Sequence, residues 1–313
     1  MKITVRESFL ATIAYADIFD YPLTLEECDM WRICTPNTDS RIHEWSNIVT
    51  RLKKRDRIFY SLRRDRSIID KREDRARWSA KKINIARRMA RVLRFIPTIR
   101  LIGVTGGLAM YNTEKNDDID FFCIAASGTL WISRFLAVAF MEVFGRRRRP
   151  ADVRVKDKIC LNMFMSEDAL CVPVQEQDLY TAHEVLQMRV LWERGGVYRA
   201  FLRANGWVRN FLPNAWEESS QFIVHSSQKK PKNKLFKKIL GVLLLTINYL
   251  LITIESIAKL AQLWYMQKHR TTEVVTDTMI RFHPKDARRR VRAALGKRLK
   301  QWNIPLDNIF YDR

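Results

Sequence analysis

Cysteine is sparse and unpatterned. The 313-residue chain holds five (Cys28, Cys34, Cys123, Cys160 and Cys171), with no CxxC pair among them. They sit among apolar or mixed residues, which suits buried thiols in a reducing compartment, and the clustered Cys and His of a zinc site are missing. No HExxH and no Ser–His–Asp order is present, so a hydrolase reading has nothing to stand on, and His283 beside Pro284 reads as a structural or surface residue. No long Gly/Ser linker divides the chain. The opening MKITVRESFL contains Glu7 and runs on to Asp17 and Asp20 without a cleavage site, so it predicts a folded cytoplasmic segment.

A long hydrophobic run is lacking as well. The apolar stretch Ile239–Ile254 contains Asn248 and falls short of the about 20 residues a membrane span needs. Glu255 and Lys259 are placed for i,i+4 pairing, so a buried or partner-facing helix is expected. The lysines before the run keep open a peripheral or integral association of 239–263 with an anionic membrane surface.

What the chain has in excess is positive charge, +22 overall. Residues 1–50 hold 4 Lys/Arg against 8 Asp/Glu, whereas residues 51–100 hold 19 against 5. Such a field suits phosphate-rich partners, nucleic acid among them, although a solvated basic surface has the same composition. With 47% hydrophobic residues, packed cores are expected.

The amino-terminal part reads as three helices and a hairpin. Phe9, Leu10, Ile13 and Ala14 mark the first helix, closing near Tyr21–Pro22. Thr24 followed by Glu27 forms a capping box for the second, with Leu23 and Cys28 as its staple. A third helix from about Ser40 carries Ile42, Trp45, Ile48, Val49 and Leu52 on one face. Ile58, Tyr60 and Leu62 alternate, the polar run Arg63–Arg66 reads as a charged tip, and Ile68–Ile69 as the return strand. This is a winged-helix pattern, open to groove reading by the third helix, phosphate contact by the hairpin, or protein docking alone. A long basic helix over about 73–95 follows. Trp78, Ile85, Met89, Val92 and Leu93 are its packed face, and Arg75, Lys81, Lys82, Arg87, Arg88 and Arg91 belong to its surface.

The chemistry is concentrated between Thr105 and Asp120. A strand over Leu101–Thr105 runs into Gly106–Gly107, where small residues let backbone N–H groups approach a phosphate. After NTEKND comes Asp118-Ile119-Asp120 and the apolar Phe121, Phe122, Cys123 and Ile124. Period two places Asp118 and Asp120 on one face of that strand. Two adjacent carboxylates repel unless cations compensate them, and Mg2+ favours carboxylate and phosphate oxygens together.

The order GG–x10–DxD resembles the nucleotidyltransferase superfamily of polymerase beta-like and minimal nucleotidyltransferase domains. The wider chain, through YADIFDYPLTLEE, TGGLAMYNTEKNDDIDFF, ICLNMFMS and NGWVRNFLPN over roughly residues 8–215, is similar to a bacterial group that joins a winged helix to this domain. The resemblance implies that Gly106 and the residue at 107 bind triphosphate, with Thr105 nearby, and that Asp118 and Asp120 bind catalytic Mg2+. The implied reaction moves a nucleoside monophosphate from an NTP to a hydroxyl-bearing acceptor that the sequence does not choose. Two departures stand out. Gly107 replaces the family's usual serine. Asn162 occupies the expected place of a third carboxylate on the strand Ile159–Phe164, leaving Asp152 and Asp157 as the acidic alternatives. Asparagine is a poor proton acceptor, so a nucleic-acid-binding or regulatory protein that retains the fold without turnover is the competing expectation.

Leu130–Phe144 reads as a crossover helix. Its Arg134 faces either the cleft or solvent, and the four arginines Arg146–Arg149, Arg146 and Arg147 foremost, are candidate phosphate contacts. The expected architecture is a winged-helix-like domain (1–72), a linking helix (73–98), an α/β nucleotidyltransferase domain with a mixed sheet and flanking helices (99–215), and a basic helical region (216–313).

Overall fold

The computed structural model describes residues 3–34, 49–150, 152–225, 253–267, 274–281 and 287–310. The chain opens with α1 (Val5–Asp17) and α2 (Leu25–Met30), and each starts on a reciprocal capping box. Thr4 and Glu7 serve the first and Thr24 and Glu27 the second, as the spacing predicts for α2. Leu23 and Cys28 are both buried in the core that α1 and α2 share.

The hairpin differs from the expected one. It pairs β1 (Thr50–Lys54) with β2 (Arg57–Ser61), and Leu52 stands opposite Phe59. The chain reverses at Arg55–Asp56, with Arg55 in the left-handed region at φ 52, so Arg63–Arg66 is not the tip. Ile68 and Ile69 do not return as a strand. Adjacent apolar residues cannot share one face of a strand, and here both are buried in the first turn of α3 (Ser67–Leu93), against Leu52 and Phe59. Leu52, expected on a helix, is therefore a strand residue. The rest of the expected third helix, from Ser40 through Ile48, lies outside the described residues.

Helix α3 buries Ser79, Lys82, Ile83, Ala86, Ala90 and Leu93 at helical spacing. Two cations expected on its surface are turned inward. Arg75 bonds Phe19 O at 3.0 Å and Asn112 Oδ1 at 3.2 Å and pairs with Glu114 at 2.6 Å. Lys82, with a side chain 2% exposed, donates to Asp117 O at 2.6 Å and pairs with Asp157 at 2.9 Å.

The sheet is mixed and six-stranded. It is built from β3 (Ile99–Val104), β4 (Ile119–Ala125), β5 (Ile159–Ser166), β6 (Arg189–Glu193), β7 (Val274–Val275) and β8 (Met279–Arg281), in the order β6-β3-β4-β5-β8-β7. Among the described strands only β4 and β5 pair in parallel, and an isolated parallel bridge joins Arg147 to Ile159. A parallel pair needs a crossover, and α5 (Leu130–Val143) supplies it. On this face α3 and α5 cover Ile102, Phe121, Cys123 and Phe164, together with α9 (Glu255–Gln267). Glu255 caps α5 from a distance, its two carboxylate oxygens accepting from Trp131 N and Ile132 N at 2.7 Å each. Lys259 ion-pairs with Asp277, while its charge still reaches Glu255.

The opposite face carries Phe122, Ile124 and Met165 under α6 (Leu179–Gln187) and α7 (Val197–Ala204), with α8 (Pro213–His225) alongside and α10 (Ala287–Leu299) contributing Val291 and Leu295. α1 and α2 belong to this same core. A four-residue helix, α4 (Gly106–Ala109), follows β3, and α11 (Asp307–Phe310) closes the described chain. No helix among the described residues is long and apolar enough to cross a membrane, and 239–252 lie outside them.

His183 on α6 joins these parts. Its ring stacks on Tyr15 of α1 at 3.9 Å between centroids and lies 5.8 Å from Trp31, while Nδ1 meets Leu179 O at 2.9 Å. Burial lowers its pKa to about 4. The unfolded imidazole, with a pKa near 6.5, therefore binds its proton first as pH falls, and folding stability is lost from about pH 6.5 down to pH 4. We expect this one group to cost on the order of 3 kcal/mol at pH 4. Denaturant titrations of the wild type and His183→Phe at pH 8 and pH 4 check it: the wild type should lose more stability than the variant by that margin, and parallel losses would contradict it.

Candidate metal and phosphate site

The site begins where β3 ends. Thr105 N donates to Asp120 O at 3.3 Å, extending the β3–β4 ladder by one bond. The chain then turns sharply through Gly106, whose φ of +62° is a conformation that side chains other than hydrogen strain to adopt. A Cβ at Gly106 would lie 3.9 Å from Asp120 Oδ2, so the turn and this carboxylate face the same space. Gly107 is small for a different reason: a Cβ there would meet Asn112 O at 3.2 Å, and Asn112 N already donates to Gly107 O at 2.7 Å. The closed Gly107–Asn112 turn thus leaves little room for the serine of the family pattern.

Asp118 and Asp120 converge on one spot. Their carboxylates and the Cys160 thiol each offer a ligand atom within 4.8 Å of the others, a small cluster capable of ligating a metal ion. Cys160 arrives through strand register, since Asp120 and Cys160 are direct partners across β4–β5. The register then shifts between Asp120 and Phe122, so that β5 carries one residue more than β4. Asn162, buried, lies within this irregularity, between Cys160 and Met163, and lines a cavity of about 90 Å³ with Thr105, Glu184 and Arg281.

Burial, followed by the charge of Asp118, pushes the pKa of Asp120 up to about 7, against the pull of the Cys160 thiol and Arg148. Burial and then the two aspartates raise Cys160 well above an ordinary thiol. The raised proton affinity of Asp120 beside a second carboxylate marks a shortage of positive charge, which is what a divalent cation supplies.

Arg148 provides part of that charge, meeting Asp118 Oδ2 at 2.5 Å. It reaches the site because residues 146–148 run alongside the start of β5: Ile159 N donates to Arg146 O at 2.6 Å and Arg148 N to Ile159 O at 2.9 Å. Extended backbone sends alternate side chains to opposite sides. Arg147 accordingly points away, pairing with Glu142 at 2.8 Å under the Tyr265 ring, and Arg146 is exposed. Arg134 is buried on the other face of the sheet, bonded to Gln262 of α9.

The remaining acidic candidates have partners of their own. Asp157 is held by Lys82, and Asp152 by Lys158 at 2.8 Å and by Arg149 N at 2.7 Å. The sequence did not point to Cys160 or Glu184, and points to Arg148 only as one of the run Arg146–Arg149. Glu184, on α6, is raised to about 7 by burial and by the charge of Asp120. The sequence signal for Cys160 was available, as the second residue of a strand parallel to the Asp120 strand. Nothing local to the sequence places Glu184 there.

No family model matches the chain, and no curated protein matches it. A chain in the crystal structure of a toxin–antitoxin with AMP-PNP aligns with 46% of this chain and 98% of its own, at 15% identity and a TM-score of 0.25. That likeness is slight.

The donor set of two carboxylates and a thiol discriminates among metals. Carboxylate oxygens suit Mg2+ and Mn2+, while a thiol favours Zn2+ or Cd2+. Cys160→Ser should leave Mg2+ binding within about twofold and weaken Cd2+ binding at least about tenfold. Calorimetric titration of each ion into both proteins measures it; equal Cd2+ affinity would remove Cys160 from the ligand set.

Proposed function

We propose that the protein is a divalent-metal-dependent nucleotidyltransferase, moving a nucleoside monophosphate from an NTP to a hydroxyl-bearing acceptor with release of pyrophosphate. The observation that carries the reading is the shared opening of the Gly106 turn and the Asp118–Asp120 pair, 3.9 Å from the Gly106 Cβ position to Asp120 Oδ2. A phosphate-sized approach and a cation-demanding carboxylate pair at one point are the two requirements of phosphoryl chemistry.

Asp118 and Asp120 fit Mg2+ by their oxygen donors and would hold it. Bound there, the ion supplies charge compensation for the triphosphate and its leaving pyrophosphate. The backbone at Thr105, Gly106 and Gly107 orients the triphosphate. Arg148, paired with Asp118, keeps that carboxylate aimed and adds a fixed cation beside the reacting phosphate. Asp157 serves the site indirectly: with Lys82 it anchors the entry of β4, since Lys82 also binds Asp117 O. Asp152 anchors the loop that carries Arg148 through its bond to Arg149 N.

Replacing Asp118 and Asp120 together by Asn keeps shape and removes both charges. NTP-dependent transfer of radiolabel to a broad acceptor pool should fall roughly a hundredfold or more, with the circular dichroism spectrum and melting temperature preserved. Full transfer by the folded double variant would sink the assignment.

A second reading, a polyanion-binding protein that keeps the fold for support, is favoured by one surface. Arg87, Arg88 and Arg91 are exposed together on α3, and no acidic partner is seen for them among the described residues. Changing all three to Gln should weaken duplex DNA or RNA binding across sequences and reduce the log–log salt slope by roughly 2 to 3. An unchanged slope in a filter-binding series would exclude this face as a phosphate contact.

A further inference from the structure

Beside the Gly106–Gly107 turn lies a cavity of about 280 Å³ that the proposed phosphate chemistry does not use. Its size is close to the lower bound of about 300 Å³ for small-molecule pockets. It is roofed by the amino-terminal helices: Tyr15, Ala16 and Phe19 come from the α1 end, with Tyr21 and Trp31 beside them. The Tyr15–His183 stack stiffens one wall. The walls are mainly apolar and aromatic, the lining that receives a planar ring by stacking.

Polar groups sit at the end nearest the aspartates. Glu184 lines the cavity with Tyr180; it feels the charge of Asp120, and its own charge is felt by Tyr180 and Tyr15. Glu184 makes no hydrogen bond or ion pair among the described residues. A half-buried carboxyl at a cavity wall with no hydrogen bond among the described residues keeps acceptor capacity that a ligand N–H can fill. The Tyr180 hydroxyl, also without a hydrogen bond among the described residues, stands beside it.

We infer that this cavity is the base subsite of the nucleotide, and that Glu184 accepts a hydrogen bond from a base amino group, selecting amino-bearing bases over uracil. The inference rests on the nucleotidyltransferase reading above, because only a triphosphate on the Gly106–Gly107 turn would place a base here. The contiguity is direct: both glycines line the cavity, and Gly106 also faces Asp120. The winged-helix-like part thereby acquires a role at the site, since without α1 and α2 the ring would have no roof. The contact is one of binding and selectivity, with no covalent step.

The test is calorimetry on the full chain in Mg2+, with the non-hydrolysable α,β-methylene analogues of ATP, GTP, CTP and UTP, and with inorganic tripolyphosphate. The wild type should bind at least one amino-bearing analogue about tenfold more tightly than the UTP analogue or tripolyphosphate. Glu184→Leu should erase that preference, and Ala16→Phe, which fills the cavity from α1, should reduce every nucleotide to the affinity of tripolyphosphate. Melting temperatures near wild type confirm that either variant is folded, and the two variants reach the cavity from different elements. Equal wild-type affinity for all four nucleotides and tripolyphosphate would overturn the base subsite and leave the phosphate site standing. Undiminished preference in folded Glu184→Leu would overturn it too. No binding of either nucleotide or tripolyphosphate by the wild type would overturn the underlying reading itself.

Discussion

One buried ammonium governs how the site is assembled. Lys82 projects from the middle of α3 into a place where its charge is almost wholly removed from water, and binds both Asp117 O and Asp157. Those two residues stand just ahead of β4 and β5, the parallel pair among the described strands. Asp157 N also donates to Asp117 O at 3.2 Å, and Ile119 N to Lys158 O at 2.9 Å. The entry points of both strands are therefore clamped before the ladder begins, and the Asp120–Cys160 partnership follows. A buried ion pair is weak evidence of net stability, but removal of one partner leaves an uncompensated charge, and strand register is the sort of property such pairs secure. Asp157, an acidic alternative for the third carboxylate, is part of this clamp.

What was readable in the sequence follows from how local each signal is. The capping box Thr24–Glu27, the strand–glycine–strand order from Leu101 to Ile124 and the crossover helix at Leu130 each depend on residues a few positions apart, and the elements lie where that spacing puts them. The hairpin failed because alternation was read forward from Ile58, whereas the partner strand lies before it and Ile68–Ile69 start a helix. The expectation at Asn162 rests on the family resemblance, whereas strand register sets Cys160 opposite Asp120 and the chain then bulges between Cys160 and Met163. Arg134, Arg146 and Arg147 were natural choices as cations close in sequence to the motif. The side of the sheet and the alternation of an extended segment decided for Arg148 instead. Glu184 depends on tertiary docking of α6, for which no neighbouring residue carries a signal.

The large positive charge also changes meaning once its partners are seen. Arg72 binds Glu27 and lies 4.1 Å over the Tyr21 ring; Arg63 and Arg298 both close on Asp17. These cations weld the amino-terminal elements to α3 and α10 and are not available to a polyanion. A formal charge counts them equally with Arg87 and Arg88, which remain at the surface. Part of the formal charge is thus committed to internal pairs, and the exposed cations among the described residues include Arg51, Lys53, Arg55 and Arg57 of the hairpin besides those of α3.

The cap that Glu255 places on α5 has a consequence for the order in which the chain matures. Trp131 N and Ile132 N find their acceptor more than 120 positions later, and β5 gains its neighbour β8 only at Met279–Arg281. During vectorial synthesis on a ribosome, the motif and its crossover helix emerge well before the residues that satisfy and flank them. The nascent sheet carries an open β5 edge throughout that interval, the kind of edge that invites mispairing with other chains. Completion of the site is thereby coupled to the arrival of the carboxy-terminal third, and a ribosome stalled short of residue 255 would display the glycine turn and both aspartates on an unfinished scaffold.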